Sequence, residues 1–419
     1  MKRFALALLT LLALSLYGAV VTPPVGFSYT PPFDIYETDG VFSADPAFNI
    51  QTRANITVTT TYYLNTVSGL DTNSGLTTLL PLKTWNAVIA KGDYDRIIIQ
   101  NGSRLIRAES SSVPTRSVEV IGEGTVYFTS ERNNDLVGFC KICTATYAYG
   151  SLTGGRYIAT IRDDNTMDEI TKPKRYISRT TTAQVEATAG SYLWANGVLL
   201  VHPVNNLTPS GQSGIRYYDS SAVYWIKDNL VFYFENINFR GGVTVNNATA
   251  AGTATKLYMK DCTGHNLIIK GVAEAILQRC NFYTSADDAV AYDALHGVIT
   301  KAVELDCRFE DSGTDTTNQA STLHSGCYCI SINSEYQYMT GQCVADADAT
   351  SERWMLGCDM KSSDTGIGAY TAGKMWLDTC TTTAITAYDL QNIIGATTYT
   401  HNFTGSKGVN DIGGTLTPY

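Results

Sequence analysis

A short strand-like pattern recurs through the second half of the chain and limits what this sequence can fold into. Each copy has alternating apolar residues, a polar residue and then, in most copies, cysteine; examples are 256–264, 274–282, 302–310 and 373–381. One such unit cannot bury its inner side chains alone, whereas units stacked about 4.8 Å apart bury them continuously. The repeat therefore predicts an all-β fold, a single-stranded parallel β-helix or solenoid.

The cysteines of the repeat are predicted to form a row inside the solenoid. Because buried thiols pack as small apolar side chains, their regular spacing favours free thiols, although disulfides between neighbours stay open as an alternative. Cys140 and Cys143 form an isolated CxxC, which is a weak signal for a metal site when no second pair is near. Six of the ten cysteines would occupy equivalent inward positions: Cys262, Cys280, Cys307, Cys343, Cys358 and Cys380.

The 419 residues divide into four segments. Residues 1–19 have the pattern of a secretory signal peptide, since a basic start precedes an apolar run that ends in small residues. The run is short and interrupted, so no stable membrane span is expected after its removal. Residues 20–60 are Pro-rich without periodicity and predict an extended arm or linker. Residues 61–390 are assigned to the β-helix, with a short capping helix near 81–90, and residues 391–419 to a C-terminal cap or tail.

The charge of the chain limits its partners. The net charge is −9 at pH 7 and the isoelectric point is about 5.1. Nucleic acid is not expected as a partner, because binding to phosphates needs a basic face. An acidic glycan would also be repelled unless a local basic groove or a bridging cation intervened.

The stretches "YYLNTVSGLDTNSG" (62–75) and "PLKTWNAV" (81–88) resemble the opening cap of the pectate-lyase-like right-handed parallel β-helix superfamily. This resemblance implies a right-handed β-helix. Enzymes, adhesins and structural proteins share this cap and these repeats, so they predict fold better than function. Three further segments resemble phage tailspike and tail-fibre-like β-helix proteins: 318–326, 344–357 and 374–380. This second resemblance implies a trimer.

Carboxylates and a histidine are concentrated near the predicted turns, and they suggest a polysaccharide-cleaving site. The candidate catalytic residues are His324, Asp288, Asp293 and Glu304. Equivalent positions one rung apart are separated by about 5 Å and two rungs apart by about 9–10 Å. These spacings bracket the carboxylate separations of retaining and inverting glycosidases. Acidic residues are also favoured at turns for their local hydrogen bonds, and that alternative stays open.

Candidate substrate-binding residues carry either an aromatic ring or a polar group close to His324. Aromatic rings stack on sugars, but they also pack well against neighbouring rungs, so both roles are open for each ring. The candidates are Asn318, Tyr292, Tyr328, Trp354 and Asp346.

Three functions remain open from the sequence. The first is an exported or surface protein that binds and cleaves a polysaccharide or cell-surface glycan, as a lyase or a glycoside hydrolase. The second is a non-enzymatic adhesin or a phage receptor-binding or structural tail component, which would place the protein in a virion tail. The third is a self-assembling surface filament. A homotrimer and a filament are both possible assemblies of the chain. A lyase acting on a uronate would use Ca²⁺, and no other cofactor is indicated.

Overall fold

The computed structural model describes residues 18–106, 112–129, 140–141, 146–149, 158–168, 172–175, 177–195, 198–203, 215–219, 223–240, 242–283, 288–310, 319–339, 341–348 and 350–419. In this part of the chain, three parallel sheets wind along one solenoid, which confirms the predicted all-β fold. Each complete rung contributes one strand to sheet 1, then one to sheet 2 and one to sheet 3. The core lies between the three sheets.

Sheet 1 is the longest of the three sheets. Its twelve strands pair in parallel in the order of the chain: Thr61–Leu64, Arg96–Ile99, Val118–Gly122, Val231–Glu235, Lys256–Lys260, Glu274–Gln278, Lys301–Leu305, Tyr328–Ile332, Glu352–Leu356, Lys374–Asp378, Thr397–His401 and Thr415–Pro418.

Sheets 2 and 3 have nine strands each and also follow the order of the chain. The strands of sheet 2 are Arg104–Ile106, Tyr127–Thr129, Asn238–Arg240, Thr263–Gly264, Asn281–Tyr283, Arg308–Glu310, Glu335–Gln337, Asp359–Lys361 and Thr381–Thr383. The strands of sheet 3 are Val223–Ile226, Val243–Asn246, Leu267–Lys270, Val290–Asp293, Gln319–Leu323, Gln342–Asp346, Thr365–Ala369, Tyr388–Ile393 and Val409–Ile412.

The turn from sheet 1 to sheet 2 explains the position of the cysteines. A residue with positive φ makes the turn, such as Asp261 at 53° or Asn333 at 46°, and Asn and Asp tolerate this region better than most residues. The assignment of Cys343 to the inward row is wrong, because Ser334 follows the turn at Asn333 and Cys343 lies in a strand of sheet 3. The residues that follow these turns are buried: Ile237, Cys262, Cys280, Cys307, Ser334, Cys358 and Cys380.

The eight cysteines whose side chains are described are all free and buried, which confirms the prediction of free thiols for them. Burial raises the pKa of the Cys262 thiol well above its usual range, so this thiol stays protonated. Cys143 lies outside the described residues, and only the backbone of Cys140 is described.

An insertion between sheet 2 strand Tyr127–Thr129 and sheet 3 strand Val223–Ile226 interrupts the solenoid that the sequence assigned continuously to 61–390. Its described strands form two further sheets, which are antiparallel except for the parallel pair of Ile177–Ser178 with Ser191–Ala195. One has five strands, in the order Ile177–Ser178, Ser191–Ala195, Val198–His202, Tyr147–Tyr149 and Cys140–Lys141. The other has three strands, in the order Lys172–Arg175, Ile158–Asp168 and Ile215–Asp219.

The described helices are short: Ile50–Ala54, Trp85–Ile89 and Thr182–Ala187. The capping helix predicted near 81–90 is present but begins only at Trp85, because Thr84 caps it by accepting a hydrogen bond from the Ala87 N–H at 3.2 Å. Before this cap, Leu82 instead forms a parallel bridge with Leu64 and closes the edge of the first sheet 1 strand. No described helix is long and apolar enough to cross a membrane.

The N-terminal arm, residues 20–60, folds onto the outer face of sheet 1 instead of forming the extended linker that its composition suggested. It contains the hairpin strands Ile35–Thr38 and Val41–Ala44, joined to Ala19–Val20 in an antiparallel sheet, and the helix Ile50–Ala54. Sheet 1 presents a second apolar row on its outer face, and the arm buries it. The members of that row are Tyr233, Tyr258, Ile276, Val303, Ile330, Trp354 and Trp376.

Polar contacts fix the position of the arm along the sheet. The Ser28 N–H donates to Glu352 Oε2 at 2.6 Å. The Arg53 guanidinium binds both carboxylate oxygens of Glu274, at 2.9 and 2.6 Å. Burial alone would raise the pKa of Glu274, but hydrogen bonds from Arg53 and Tyr258 outweigh it and lower that pKa. The arm is therefore attached by both apolar and charged contacts to rungs that lie far away in sequence.

The solenoid continues past the predicted boundary at residue 390. Thr397–His401 and Thr415–Pro418 extend sheet 1, and Val409–Ile412 extends sheet 3. The segment assigned to a cap or tail thus forms the last rungs of the described solenoid.

Truncation of Phe27 tests the attachment of the arm. Its ring centroid lies 5.8 Å from that of Trp354 and 5.6 Å from that of Trp376. We expect Phe27→Ala to lower the free energy of unfolding by about 2 kcal/mol, less than for a fully buried ring because Phe27 is half-buried. Urea denaturation followed by tryptophan fluorescence would measure this change. Val25→Ala is the control, since that side chain is 98% exposed, and an equal loss in both variants would contradict the packing.

Candidate functional site

Glu304, a predicted catalytic acid, lies inside the solenoid. Its strand Lys301–Leu305 is in sheet 1, where its register partners Leu277 and Ser331 are also fully buried. A carboxylate in such surroundings must be hydrogen-bonded, and four hydroxyl groups donate to it. The donors are Tyr292 at 3.0 Å and Ser321 at 2.7 Å to Oε1, and Ser331 at 2.8 Å and Tyr336 at 2.5 Å to Oε2.

Asp346, a predicted substrate contact, belongs to the same interior cluster. The Arg353 guanidinium donates through Nε to Asp346 Oδ1 at 3.1 Å, and Arg353 Nη1 lies 3.6 Å from Glu304 Oε2. All three side chains have no exposed area. Two acidic groups therefore share one guanidinium in the core. Burial raises the pKa of Asp346 to about 6, although Arg353 opposes the effect.

The predicted sugar-stacking rings are occupied by contacts within the protein. Tyr292 is fully buried, and Trp354, which is 1% exposed, packs under the N-terminal arm. Tyr328 remains half-buried beside Tyr29 of the arm, with ring centroids 6.5 Å apart. Asn318 lies outside the described residues. In this structure neither Tyr292 nor Trp354 presents a face to an outside molecule.

Four polar residues at the end of sheet 3 form a row on the surface, which we call the edge row: Lys270, Asp293, His324 and Asp348. Lys270 and Asp293 are register partners on neighbouring strands. The backbone N–H of His324 donates to Tyr292 O at 2.9 Å, which places His324 one rung beyond Asp293. Asp348 follows on the next rung, two residues after the strand Gln342–Asp346. The parallel register thus aligns Lys270, Asp293 and His324, and it places Asp348 one residue past the position equivalent to His324.

The edge row contains one lysine–carboxylate ion pair and one histidine–carboxylate contact. Lys270 Nζ lies 3.4 Å from Asp293 Oδ2, and His324 Nδ1 lies 3.4 Å from Asp348 Oδ2. The Ser325 N–H also donates to Asp348 Oδ2 at 2.9 Å, so the carboxylate is held beside the imidazole. The side chains of His324 and Asp348 are 36% and 49% exposed, which leaves both accessible from solvent.

One carboxylate oxygen of Asp293 differs from the rest of the edge row. Asp293 Oδ1 is buried and accepts no hydrogen bond from the part of the chain that the structure describes. A buried carboxylate oxygen is stabilised by a donor, such as a water molecule. Since His324 stands one rung away, the edge row places an imidazole between two carboxylates. Such a group can both donate and accept a proton.

The structure separates Asp288 from the edge row. Asp288 precedes the strand Val290–Asp293, whereas Asp293 ends it, so five residues of extended chain, roughly 16 Å, lie between them. The Asp288 carboxylate accepts a hydrogen bond from the Gln319 N–H at 2.8 Å. Of the four predicted catalytic residues, the structure therefore brings only Asp293 and His324 together.

Lys270 and Asp348 are candidate functional residues that sequence reasoning missed. The sequence signal that could have found Lys270 is the equivalence of positions on successive rungs, because the register from strand to strand aligns positions 270, 293 and 324. This equivalence could be used only once the lengths of the loops between rungs were known. In the described ranges, no group of three or more His, Cys, Asp or Glu side chains is arranged to hold a metal ion.

Comparisons with known proteins show the fold. No model of a known protein family and no curated protein matches the sequence. A solved structure titled glycoside hydrolase aligns with a TM-score of 0.56 at 10% identity, over 85% of this chain and 96% of that one. The lacto-N-biosidase of Eubacterium ramulus aligns with a TM-score of 0.32 at 9% identity, over 88% of this chain and 69% of that one.

Phage tailspikes also appear among the solved structures that align with this chain. The Gp54 tailspike of Acinetobacter baumannii bacteriophage AP22, solved in complex with capsular saccharide, aligns with a TM-score of 0.25 at 10% identity, over 78% of this chain and 68% of that one. The parallel β-solenoid predicted from the sequence is confirmed, and the chain shares this fold with the structure titled glycoside hydrolase. Identities this low show the fold alone.

The pH dependence of stability tests the interior cluster. A carboxyl with a pKa near 6 in the folded state and 3.8 in the unfolded state binds more protons when folded. Its contribution to stability is therefore greatest at low pH and is lost as the pH rises from about 4 through 6. The loss is roughly 3 kcal/mol, since two pKa units at about 1.4 kcal/mol each separate the states.

Urea denaturation from pH 4 to pH 8 would measure this effect as the difference between the wild type and Asp346→Asn, whose amide can still accept a hydrogen bond from Arg353. Relative to the variant, the wild type should become less stable as the pH rises. Asp39→Asn, at an exposed turn, is the control and should show no such difference. A difference between wild type and Asp346→Asn that stays constant with pH would contradict the raised pKa.

Proposed function

We propose that this protein is an exported or surface β-helix that binds a polysaccharide along sheet 3 and hydrolyses it at the edge row. The observation that carries the proposal is the alignment of Asp293, His324 and Asp348 on successive rungs, with His324 and Asp348 open to solvent. A long polymer can follow the rungs of a solenoid, whereas a small substrate would need an enclosed pocket.

The roles follow from the contacts of each side chain. His324, oriented by Asp348, donates a proton to the glycosidic oxygen as the bond to the anomeric carbon breaks. Asp293 removes a proton from the water that attacks that carbon. Lys270 pairs with Asp293 and holds its carboxylate in place.

The assigned roles describe an inverting reaction. Water activated by Asp293 attacks the anomeric carbon directly, and no covalent glycosyl-enzyme intermediate forms. The charge of the edge row favours a neutral glycan over a uronate. The row has two carboxylates and one lysine, so a further carboxylate on the substrate would be repelled.

Substitution of His324 tests the proposal. We expect His324→Ala to lower the rate of polysaccharide cleavage by roughly 10²–10⁴-fold, the usual contribution of a general acid or base. The protein would be incubated with a panel of neutral and acidic bacterial and algal polysaccharides, with and without calcium. Chain shortening, the ultraviolet absorbance of unsaturated ends and the anomeric configuration of the product would be followed together.

The chain provides a matched control for this substitution. His401 is 49% exposed and its Nδ1 lies 2.8 Å from Asp378 Oδ1, so it forms a similar pair on sheet 1 away from the edge row. His401→Ala should keep full activity. Equal losses of cleavage rate in both variants, or unsaturated products, would contradict the assignment as a hydrolase.

A non-enzymatic adhesin or receptor-binding tail component is the second candidate function. It is favoured by the long exposed solenoid surface and predicts saturable binding to a glycan of the panel without any chain shortening. In that case His324→Ala would change affinity alone. Secretion and a virion tail are alternative locations for this function, and the signal peptide at 1–19 stays a prediction.

A further inference from the structure

Exposed apolar residues are concentrated at the two ends of the solenoid. Of the 17 large hydrophobic residues that are exposed in the described part of the chain, five lie in the loop after the first sheet 1 strand, Thr61–Leu64, and five in the last rungs. We call these sets the N-end patch and the C-end patch. The N-end patch is Val67, Leu70, Leu76, Leu79 and Leu80, and the C-end patch is Ile394, Val409, Ile412, Leu416 and Tyr419.

The N-end patch lies on a compact loop that closes the start of sheet 1. The Tyr63 N–H donates to Gly75 O at 2.7 Å, and the Leu82 N–H donates to Tyr63 O at 2.9 Å, so the loop covers the free edge of the first strand. Its own backbone is paired, since the Gly75 N–H donates to Leu80 O at 3.0 Å. The aliphatic side chains nevertheless point outward, and Leu79 is 88% exposed.

Two residues of the C-end patch, Val409 and Leu416, occupy positions that the preceding rung buries. Val409 is the register partner of Leu390, yet it is 42% exposed whereas Leu390 is 1% exposed. Leu416 is the partner of Thr398, which is 1% exposed, and is itself 37% exposed. No described rung covers this surface. Exposed apolar patches of this kind mark interaction sites on soluble proteins.

We infer that the two patches bind each other between copies of this chain, so that solenoids stack head to tail. The two ends are about 53 Å apart, from eleven rung spacings of about 4.8 Å, and cannot meet within one copy. A contact between two different surfaces is heterologous and continues into a filament if it does not close into a ring. This inference does not depend on the proposed catalytic activity.

The charge and area of the ends fit this partner. Residues 67–80 contain a single charge, Asp71, whose carboxylate accepts the N–H groups of Lys83 and Thr84 at 2.9 Å each. Residues 406–419 contain one lysine and one aspartate, so neither end repels the other in a chain of net charge −9. A rung face of about 25 by 25 Å would bury roughly 600 Å² per copy, about 1,200 Å² in total, which reaches the range of specific interfaces.

The test uses two variants of the full chain that each remove one patch. Val67→Asp with Leu79→Asp removes the N-end patch, and Ile394→Asp with Ile412→Asp removes the C-end patch. Sedimentation velocity over a range of concentrations should show concentration-dependent oligomers for the wild type and monomers for each variant alone. An equimolar mixture of the two variants retains one intact pair of patches and should form dimers but nothing larger.

The control variant is Ile299→Asp, because Ile299 is 41% exposed and lies between the ends; it should assemble like the wild type. Circular dichroism and thermal melting would verify that each variant is folded, and serine would replace aspartate in any variant that is not. A monomeric wild type would overturn the inference. Oligomers of the N-end variant alone would also overturn it, because they require pairing of two C-end patches. Dissociation of Ile299→Asp would do the same, because it would place the contact on the side of the solenoid.

Discussion

Each rung of this solenoid depends on its neighbours to bury its inward side chains. Leu390 is almost fully buried because rungs lie on both sides of it, whereas Val409, one rung later, is 42% exposed. The parallel hydrogen bonds that join the rungs also hold equivalent positions in register. Stacking about 4.8 Å apart therefore supplies both the apolar burial and the alignment of side chains on which the rest of the molecule depends.

The same register gives acidic residues opposite surroundings. Glu304 points inward and meets hydroxyl groups and Arg353, while Asp293, at the end of a sheet 3 strand, stays at the surface beside Lys270 and His324. Successive side chains on a strand point to opposite faces of the sheet. Whether a carboxylate is buried or exposed therefore depends on which face its residue occupies and on how close that residue lies to the end of the strand. A carboxylate of the interior is paired within the core, and one on the edge row lies at the surface.

Sheet 1 has two apolar faces, and the N-terminal arm covers the outer one. The inner face packs in the core, but the outer row that includes Trp354 and Trp376 would be exposed without a cover. The arm supplies that cover from the start of the chain. Its Pro-rich sequence lacks periodicity, so its contacts with rungs 300 residues away could not be predicted from local pattern.

The sequence by itself determined the all-β solenoid, the capping helix near Trp85 and the inward cysteines such as Cys280, because these follow from local periodicity and turn chemistry. It also singled out Asp293 and His324. Only the tertiary structure decided that Glu304 lies inside, that Trp354 is covered and that Asp348 joins His324. These outcomes depend on the lengths of loops and on contacts between distant segments. The alternation of apolar and polar residues within one strand specifies neither.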